Sequence, residues 1–202
     1  YMETHPLQPF LPPTARILML GSFPPPVKRW SMQFFYPNMQ NDMWRIFGHL
    51  YFADRDHFVD TAQRKFRQPQ IEAFLRHIGI ALYDTATAVN RLQDNASDKF
   101  LEVVQETDVS ALLRQLPQCR AVVTTGQKAT TTLCQHFGLS EPPVGGWVDF
   151  TFDQRPMRLY RMPSSSRAYP LALERKAEAY GQMLQAEGLW PDSAQQTSQT
   201  AE

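Results

Sequence analysis

The sequence predicts an α/β fold, a small sandwich built around a mostly parallel β-sheet. Short apolar runs of strand length alternate with helical patterns along the chain. The 202 residues fit one domain, and a hydrophobic content of 43% is enough for a sizeable core. No run of 18 apolar residues occurs, so we expect no membrane span.

Four apolar runs are predicted to form the buried strands of this sheet. They cover residues 17–20, 78–83, 121–124 and 157–160. A turn-rich loop over 141–147 precedes a further predicted strand or hairpin at 148–152.

Helical patterns lie between the predicted strands. Asn41 or Asp42 can cap the first helix, which carries Trp44 and Leu50. Ser97 and Asp108 can cap two short helices that run through Val104 and Leu116. Further helical patterns cover 58–77, where Pro69 interrupts the spacing, 127–137 and about 170–189.

The predicted organisation is a single domain over residues 15–190. A Pro-rich lead-in precedes it at 1–14, and a polar tail at 191–202 is expected to be disordered. The N-terminus lacks the pattern of a signal peptide, and two cysteines are ordinary for a reducing cytosol. We therefore expect a cytoplasmic protein.

The balance of charges limits the ways in which the chain can bind nucleic acid. Twenty Lys and Arg match twenty Asp and Glu, which argues against a binder driven by net charge alone. A local basic face stays open, because four arginines and no acid lie between Asp153 and Glu174. These are Arg155, Arg158, Arg161 and Arg167, of which strand alternation can put Arg158 and Arg161 on opposite faces.

Three segments follow predicted strands, at the sheet edge where α/β proteins bind ligands. Residues 21–30 are rich in proline, 34–44 interleave aromatics with amides, and 162–170 contain three serines before a helix. Aromatic faces and amides suit base recognition, and hydroxyls before a helix suit phosphate. Each segment also has a purely structural interpretation. Residues 21–30 can be a connector, 34–44 can be core aromatics with a helix cap, and 162–170 can be a helix-capping loop.

In sequence order, these segments resemble motifs of the uracil-DNA glycosylase superfamily. Gly21-Ser22-Phe23-Pro24, the aromatic–Pro–Asn–Trp stretch and Pro163-Ser164-Ser165-Ser166 are most similar to the deoxyinosine (hypoxanthine) DNA glycosylase branch and its mismatch-specific relatives. Residues 79–84 and 125–129 resemble two further motifs. The resemblance spans about residues 15–185 and implies a three-layer α/β/α sandwich with a central, mostly parallel four-stranded sheet.

The resemblance also implies an activity. Members flip a damaged base out of DNA and hydrolyse its N-glycosidic bond without a cofactor or metal, and they act as monomers. The expected partner is DNA that contains a deaminated base, hypoxanthine or uracil.

Carrying the motifs over residue by residue assigns roles within this sequence. Asn41 takes the catalytic or base-contacting amide role. The base pocket is assigned to Gly21, Ser22, Phe23, Phe35 and Tyr36, with Phe35 the better match to the stacking aromatic. DNA binding is assigned to Ser164, Ser165, Ser166, Arg167 and Lys28.

Two departures from the superfamily pattern concern its usual catalytic side chains. Many members carry Asp or Asn where this chain has Phe23, and His or Asn where it has Met162. Asp84 and Asp42 are the carboxylates near predicted strand ends, and Asp84 is the better placed to orient water. A catalytically altered member that binds DNA, a nucleotide or a protein stays an alternative. A serine hydrolase is disfavoured, because no Gly-X-Ser-X-Gly motif occurs.

Overall fold

The computed structural model describes residues 2–94 and 100–190. Its strands, in chain order, are β1 (Met2–Thr4), β2 (Ile17–Gly21), β3 (Val59–Asp60), β4 (Lys65–Phe66), β5 (Ile80–Asp84), β6 (Ala86–Arg91), β7 (Leu101–Glu106), β8 (Ala121–Thr125), β9 (Trp147–Phe152) and β10 (Arg155–Met162). Its α-helices are α1 (Met43–Phe52), α2 (Gln68–Ile78), α3 (Val109–Arg114), α4 (Gln127–Phe137) and α5 (Leu173–Ala186).

The central sheet has the strand order β5-β2-β8-β10-β9. The first four strands are parallel and correspond to the four predicted apolar runs, which confirms the predicted fold class. The sheet has five strands rather than four, because β9 adds to its edge antiparallel to β10, with Val148 opposite Leu159. This fifth strand is the one predicted at 148–152.

Burial explains why three of the parallel strands appear in the sequence as continuous apolar runs. Every residue of β2, β5 and β8 is buried. Strands covered by helices on both faces have no solvent-facing positions, so they show no alternation of polar and apolar residues.

The helices form a layer on each side of the sheet. On one side α1 contacts α2 through Tyr51 and Phe74, whose ring centroids are 4.9 Å apart, and α5 packs against α1. On the other side α3 and α4 are joined by a 2.9 Å hydrogen bond between Ser110 and His136. The connection from β2 to β5 leads toward one edge of the sheet, whereas the connection from β8 to β10 leads toward the other. Because such crossover connections are right-handed, their helices lie on opposite faces of the sheet.

The helix predicted over 58–77 is shorter than expected, because β3 and β4 form a hairpin within its first half. The helix α2 begins at Gln68, and Pro69 lies in its first turn, where proline is tolerated.

Two further helix boundaries differ from the predicted ones for local reasons. Gly79 adopts a left-handed conformation with φ of 90° and ends α2, so β5 starts at Ile80. The last helix starts at Leu173 rather than near Pro170, because a turn over 167–172 precedes it.

A second, antiparallel sheet has the order β1-β6-β7. The helix predicted through Val104 is wrong, since this segment forms β7; its proposed cap, Ser97, lies outside the described residues. Val103 of β7 pairs with Val89 of β6, and a buried Leu101 alternates with exposed neighbours. That period of two is the strand pattern that the sequence interpretation missed.

The Pro-rich lead-in packs onto the rest of the protein. Glu3 of β1 pairs with Val89, and Phe10 pairs with Leu82 at the free edge of β5. Residues 2–14 therefore cover one edge of the central sheet, and they bring His5 beneath the end of β5. The tail at 191–202 lies outside the described residues, and none of the helices described is long and apolar enough to cross a membrane.

Candidate active site

A cavity of about 830 Å³ opens at the carboxyl ends of the parallel strands. It lies where the chain leaves β2 and β8 toward opposite ends of the sheet, the position at which open α/β sheets bind ligands. The loop after β2, the loop before α1, the end of β8 and the loop after β10 line it. The sheet topology thus brings together segments that are far apart in the sequence.

Three side-chain oxygens crowd around Gly21 at the floor of this cavity. A Cβ on Gly21 would lie 2.9 Å from Asp84 Oδ1, 3.2 Å from the Tyr36 hydroxyl and 3.5 Å from Thr125 Oγ1. The Tyr36 and Thr125 hydroxyls are themselves 3.2 Å apart and hydrogen-bonded. Glycine is required here because any side chain would enter this polar floor.

Asp84 is a buried carboxylate that lines the cavity. It ends β5, and only 8% of its side chain is exposed. Its Oδ2 accepts a 2.7 Å hydrogen bond from His5 Nε2. Its other oxygen, Oδ1, belongs to the floor around Gly21.

Asn41 lines the same cavity at the start of α1. Its Oδ1 accepts a 2.9 Å hydrogen bond from the Met43 N–H, a local turn that prepares the helix start. Among residues 2–94 and 100–190, no side chain or carbonyl accepts a hydrogen bond from its Nδ2. The amide therefore offers the cavity a donor.

The loop before α1 and the serine loop after β10 are joined by main-chain pairing. Asn41 and Ser166 form an antiparallel bridge. The Asp42 N–H donates to Ser165 O at 2.8 Å, and the Arg167 N–H donates to Gln40 O at 2.9 Å. The two motifs therefore form one continuous wall.

Asp42 lies behind that wall among three cations. Its carboxylate is 3.0 Å from Arg167, 3.6 Å from Arg45 and 3.6 Å from Lys176. Lys176 is buried and also donates to Ser166 O at 2.8 Å. Burial, followed by the charge of Arg167, lowers the pKa of Arg45 below its usual value. These contacts tie α1 and α5 to both loops, which is a structural role.

The aromatic residues assigned to the base pocket all line the cavity. Phe35 is only 3% exposed and packs against Phe34 and Tyr83. Tyr36 is half-buried with a positive φ of 52°, and Phe23 is half-buried at the rim of the first loop. Tyr36 therefore presents more surface to the cavity than Phe35 does.

The three serines of the last motif line the cavity as a turn. Ser164 Oγ accepts from the Ser166 N–H and Ser166 Oγ accepts from the Ala168 N–H, both at 3.2 Å. Ser165 is 3% exposed. Met162, just before them, is buried and lines the cavity with an apolar side chain.

The four arginines near the last strand divide between two places. Arg161 and Arg167 line the cavity. Arg155 donates to the carbonyls of residues 116 and 119, and Arg158 pairs with Asp149 at 2.9 Å. Alternation along β10 accounts for the division of Arg158 from Arg161.

Some residues at the cavity were missed by the sequence interpretation. Arg29, which was not assigned to the site, lines the cavity from the first loop. The residue that was assigned there, Lys28, lies in the exposed 3₁₀ turn over Val27–Arg29 and is not among the lining residues described. Thr125 was noted within a motif but not assigned to the site. His5 had no signal, because it lies 79 residues from Asp84 in a segment interpreted as a lead-in.

The cavity has no cluster of metal-ligating side chains among the described residues. In the described ranges, no group of three or more His, Cys, Asp or Glu side chains is arranged to hold a metal ion. The polar groups that line the cavity are instead one carboxylate, four side-chain amides, several hydroxyls and three guanidinium groups.

Comparison with known proteins places this cavity within a known fold. No protein-family profile matches the chain. The chain is 31% identical over 113 residues to a hypoxanthine DNA glycosylase of Methanosarcina acetivorans, a match that covers 56% of this chain and 65% of the relative. The chain thus spans slightly less than two thirds of the length of that relative.

A solved structure extends the comparison to nearly the whole chain. The solution NMR structure of a candidate uracil DNA glycosylase from Methanosarcina acetivorans superposes with a TM-score of 0.59. The match covers 92% of this chain and 99% of the other at 23% identity, which shows a shared fold. Sequence and fold together confirm that the chain resembles the uracil-DNA glycosylase superfamily, near its hypoxanthine branch.

Proposed function

We propose that this protein is a DNA glycosylase that removes a deaminated base, hypoxanthine or uracil, in base-excision repair. The observation that carries the proposal is the cavity, which gathers Asp84, Asn41, the first-motif loop and the serine loop at one edge of the sheet. We propose further that the protein acts on DNA as a cytoplasmic monomer without a cofactor.

Hydrolysis of the N-glycosidic bond needs a water molecule and a stabilised leaving base. The sugar develops oxocarbenium character as the bond to the base breaks, and the base departs with the electron pair. In this proposal Asp84 orients the water and takes its proton while the water oxygen bonds to C1′. The negative carboxylate also favours the developing positive sugar.

The leaving base requires hydrogen-bond donors where its negative charge develops. Asn41 Nδ2 is a donor at the cavity, since its Oδ1 is already bonded to the Met43 N–H. We assign to it the contact with a base oxygen, as the resemblance implies. Gly21, Ser22 and Phe23 also line the cavity, and we assign the aromatic surface for stacking to Phe35 and Tyr36.

The DNA backbone requires cations and hydroxyls at the rim. Arg167, exposed over 44% of its side chain, and the turn of Ser164, Ser165 and Ser166 are assigned to the phosphates that flank the flipped base. We assign Lys28, next to Arg29 in the first loop, to the same contacts with the DNA backbone.

The direct test is base release from labelled oligonucleotides followed by alkaline cleavage of abasic sites. Uracil, hypoxanthine, xanthine and G·T substrates are compared as single and double strands, with an undamaged oligonucleotide as control. Release of hypoxanthine or uracil, lost in Asn41→Ala with the fold intact, is the expected result. Release of no deaminated base from any substrate would contradict the proposal.

A second candidate function is a member of the same fold that binds DNA, a nucleotide or a protein without releasing a base. Phe23 and Met162 favour it, because both are apolar and line the cavity. Measurable binding of a lesion-bearing duplex without base release would support this candidate over the glycosylase.

A further inference from the structure

His5 is a buried imidazole that reaches the site from the N-terminal segment. Only 2% of its side chain is exposed. The chain holds it in place on both sides, since its own N–H donates to Thr87 O at 2.8 Å and the following segment pairs with Leu82. A buried polar ring held in this way must be hydrogen-bonded to be tolerated.

The two ring nitrogens of His5 have different partners, which fixes the tautomer. Nδ1 accepts a 3.1 Å hydrogen bond from the Leu7 N–H, so it carries no proton. The proton is therefore on Nε2, which donates to Asp84 Oδ2 at 2.7 Å. A backbone amide thus orients the imidazole, and the imidazole orients the carboxylate.

Aromatic rings limit the rotation of this imidazole. Tyr83 stacks on it with ring centroids 4.6 Å apart and 27° between the planes. Phe23 contacts it edge-on at 5.3 Å, and Phe35 lies at 6.0 Å. Phe23 therefore has a role of its own in this chain: it packs against the residue that holds Asp84.

We infer that His5 is a positioning residue that holds Asp84 by Oδ2 and so presents Oδ1 to the attacking water. This inference rests on the proposed function. Oδ1 is the oxygen that faces Gly21, close to the hydroxyls of Tyr36 and Thr125. With Oδ2 occupied, the carboxylate has one orientation relative to the substrate. A carboxylate on the strand next to the first motif thereby replaces the Asp or Asn that this motif lacks.

The test compares His5→Leu, which removes the donor, with His5→Gln, whose amide N–H can reach Asp84. His49→Gln, at an exposed position on α1, is the matched control. Single-turnover base release and binding to lesion-bearing DNA are measured for each. We expect His5→Leu to slow the chemical step roughly 10- to 100-fold. We expect unchanged DNA affinity, a substantial recovery of rate in His5→Gln and no effect in His49→Gln.

Circular dichroism and the melting temperature show whether each variant is folded. A folded His5→Leu variant that keeps the wild-type rate would overturn the inference, as would equal losses in His5→Leu and His5→Gln. A wild-type protein that releases no base from any substrate would instead overturn the proposed function. The two failures are therefore distinguishable.

Discussion

Two buried carboxylates near the cavity differ in their partners. Asp42 lies among Arg45, Arg167 and Lys176, and it joins the helices to the loops. Asp84 has a single ion-pairing partner among the described residues, the imidazole of His5, and one of its oxygens faces the cavity. Both side chains are 8% exposed, so burial does not distinguish them.

The difference teaches how to separate a structural carboxylate from a candidate catalytic one. A carboxylate surrounded by cations has its charge compensated and its oxygens occupied, so it is poorly suited to take a proton. A carboxylate with one hydrogen-bonding partner and one oxygen that faces the cavity can accept a proton from a water molecule bound there. We therefore assign loop stability to Asp42 and chemistry to Asp84.

The largest expected effect is that of Asp84→Asn on base release. The substitution keeps the size of the side chain but removes the negative charge that orients the water and stabilises the sugar. We expect the single-turnover rate to fall roughly 10²- to 10⁴-fold. Rapid-quench measurement with excess enzyme on a hypoxanthine or uracil oligonucleotide gives this rate.

The control for this prediction is the melting temperature of the same variant. It should change little, because His5 can still hydrogen-bond to the asparagine. A folded Asp84→Asn protein with the wild-type rate would show that the two carboxylates do not differ in the way proposed.

The next effect is that of Asp42→Asn on stability. The change leaves Arg45 and Lys176, with side chains 8% and 1% exposed, without their buried counter-charge. Breaking one side of such a buried cluster costs about 3–5 kcal/mol in the free energy of unfolding. Urea unfolding followed by tryptophan fluorescence measures this loss.

Asp149→Asn is the matched control for Asp42→Asn. Asp149 also pairs with an arginine, Arg158 at 2.9 Å, but its side chain is 64% exposed. An exposed pair of this kind contributes about 0–1 kcal/mol. If Asp42→Asn were as stable as Asp149→Asn yet inactive, Asp42 rather than Asp84 would be the carboxylate of the reaction.

A smaller effect is expected from Arg167→Ala, at the boundary between the two regions. Arg167 pairs with Asp42 and lines the cavity. Stability should change modestly, since Asp42 keeps Arg45 and Lys176. Affinity for DNA should fall. The slope of the logarithm of the binding constant against the logarithm of salt concentration should decrease in magnitude by about 1, the value of one phosphate contact.

Fluorescence anisotropy over a range of salt concentrations tests the Arg167 prediction. The matched control is Arg158→Ala, which also removes one positive charge. Arg158 lies on β10 outside the cavity and pairs with Asp149. An equal loss of affinity in Arg158→Ala would mean that net charge, rather than the site, determines binding.

The fold could be predicted from the sequence where local pattern and tertiary environment agree. The parallel strands β2, β5 and β8 are buried on both faces, so their apolar runs indicate their positions directly. β7 was mistaken for a helix because its alternation is weak, with Val104 exposed on a sheet that covers a small core. Six residues of which only Leu101 is buried are too few to distinguish a helical period from a strand period.

The site was predictable to the extent that motifs carry its residues. Asn41, Asp84 and the serine turn follow strands or precede helices, so the sheet topology brings them together. His5 could not be found in this way, because its contact with Asp84 depends on how the first residues pair with β6 and the edge of β5. Such long-range pairing leaves no pattern in one sequence.

The smallest expected effect uses Tyr83 to report the charge of Asp84. Burial, and after it the negative charge of Asp84, raises the pKa of the Tyr83 hydroxyl to about 12. The unfolded tyrosine ionises near its ordinary pKa of about 10. The contribution of the neutral Tyr83 hydroxyl to the free energy of unfolding is therefore present below about pH 10 and is lost as pH rises from about 10 to about 12.

In Asp84→Asn the negative charge beside Tyr83 is absent, so the pKa of Tyr83 should fall but stay above its ordinary value. Nuclear magnetic resonance of labelled tyrosine rings measures it, with Tyr160, raised to about 12 by burial and by Glu187, as the tyrosine that should not move. An unchanged Tyr83 titration would mean that Asp84 carries no charge there, and the contrast with Asp42 would then lose its basis.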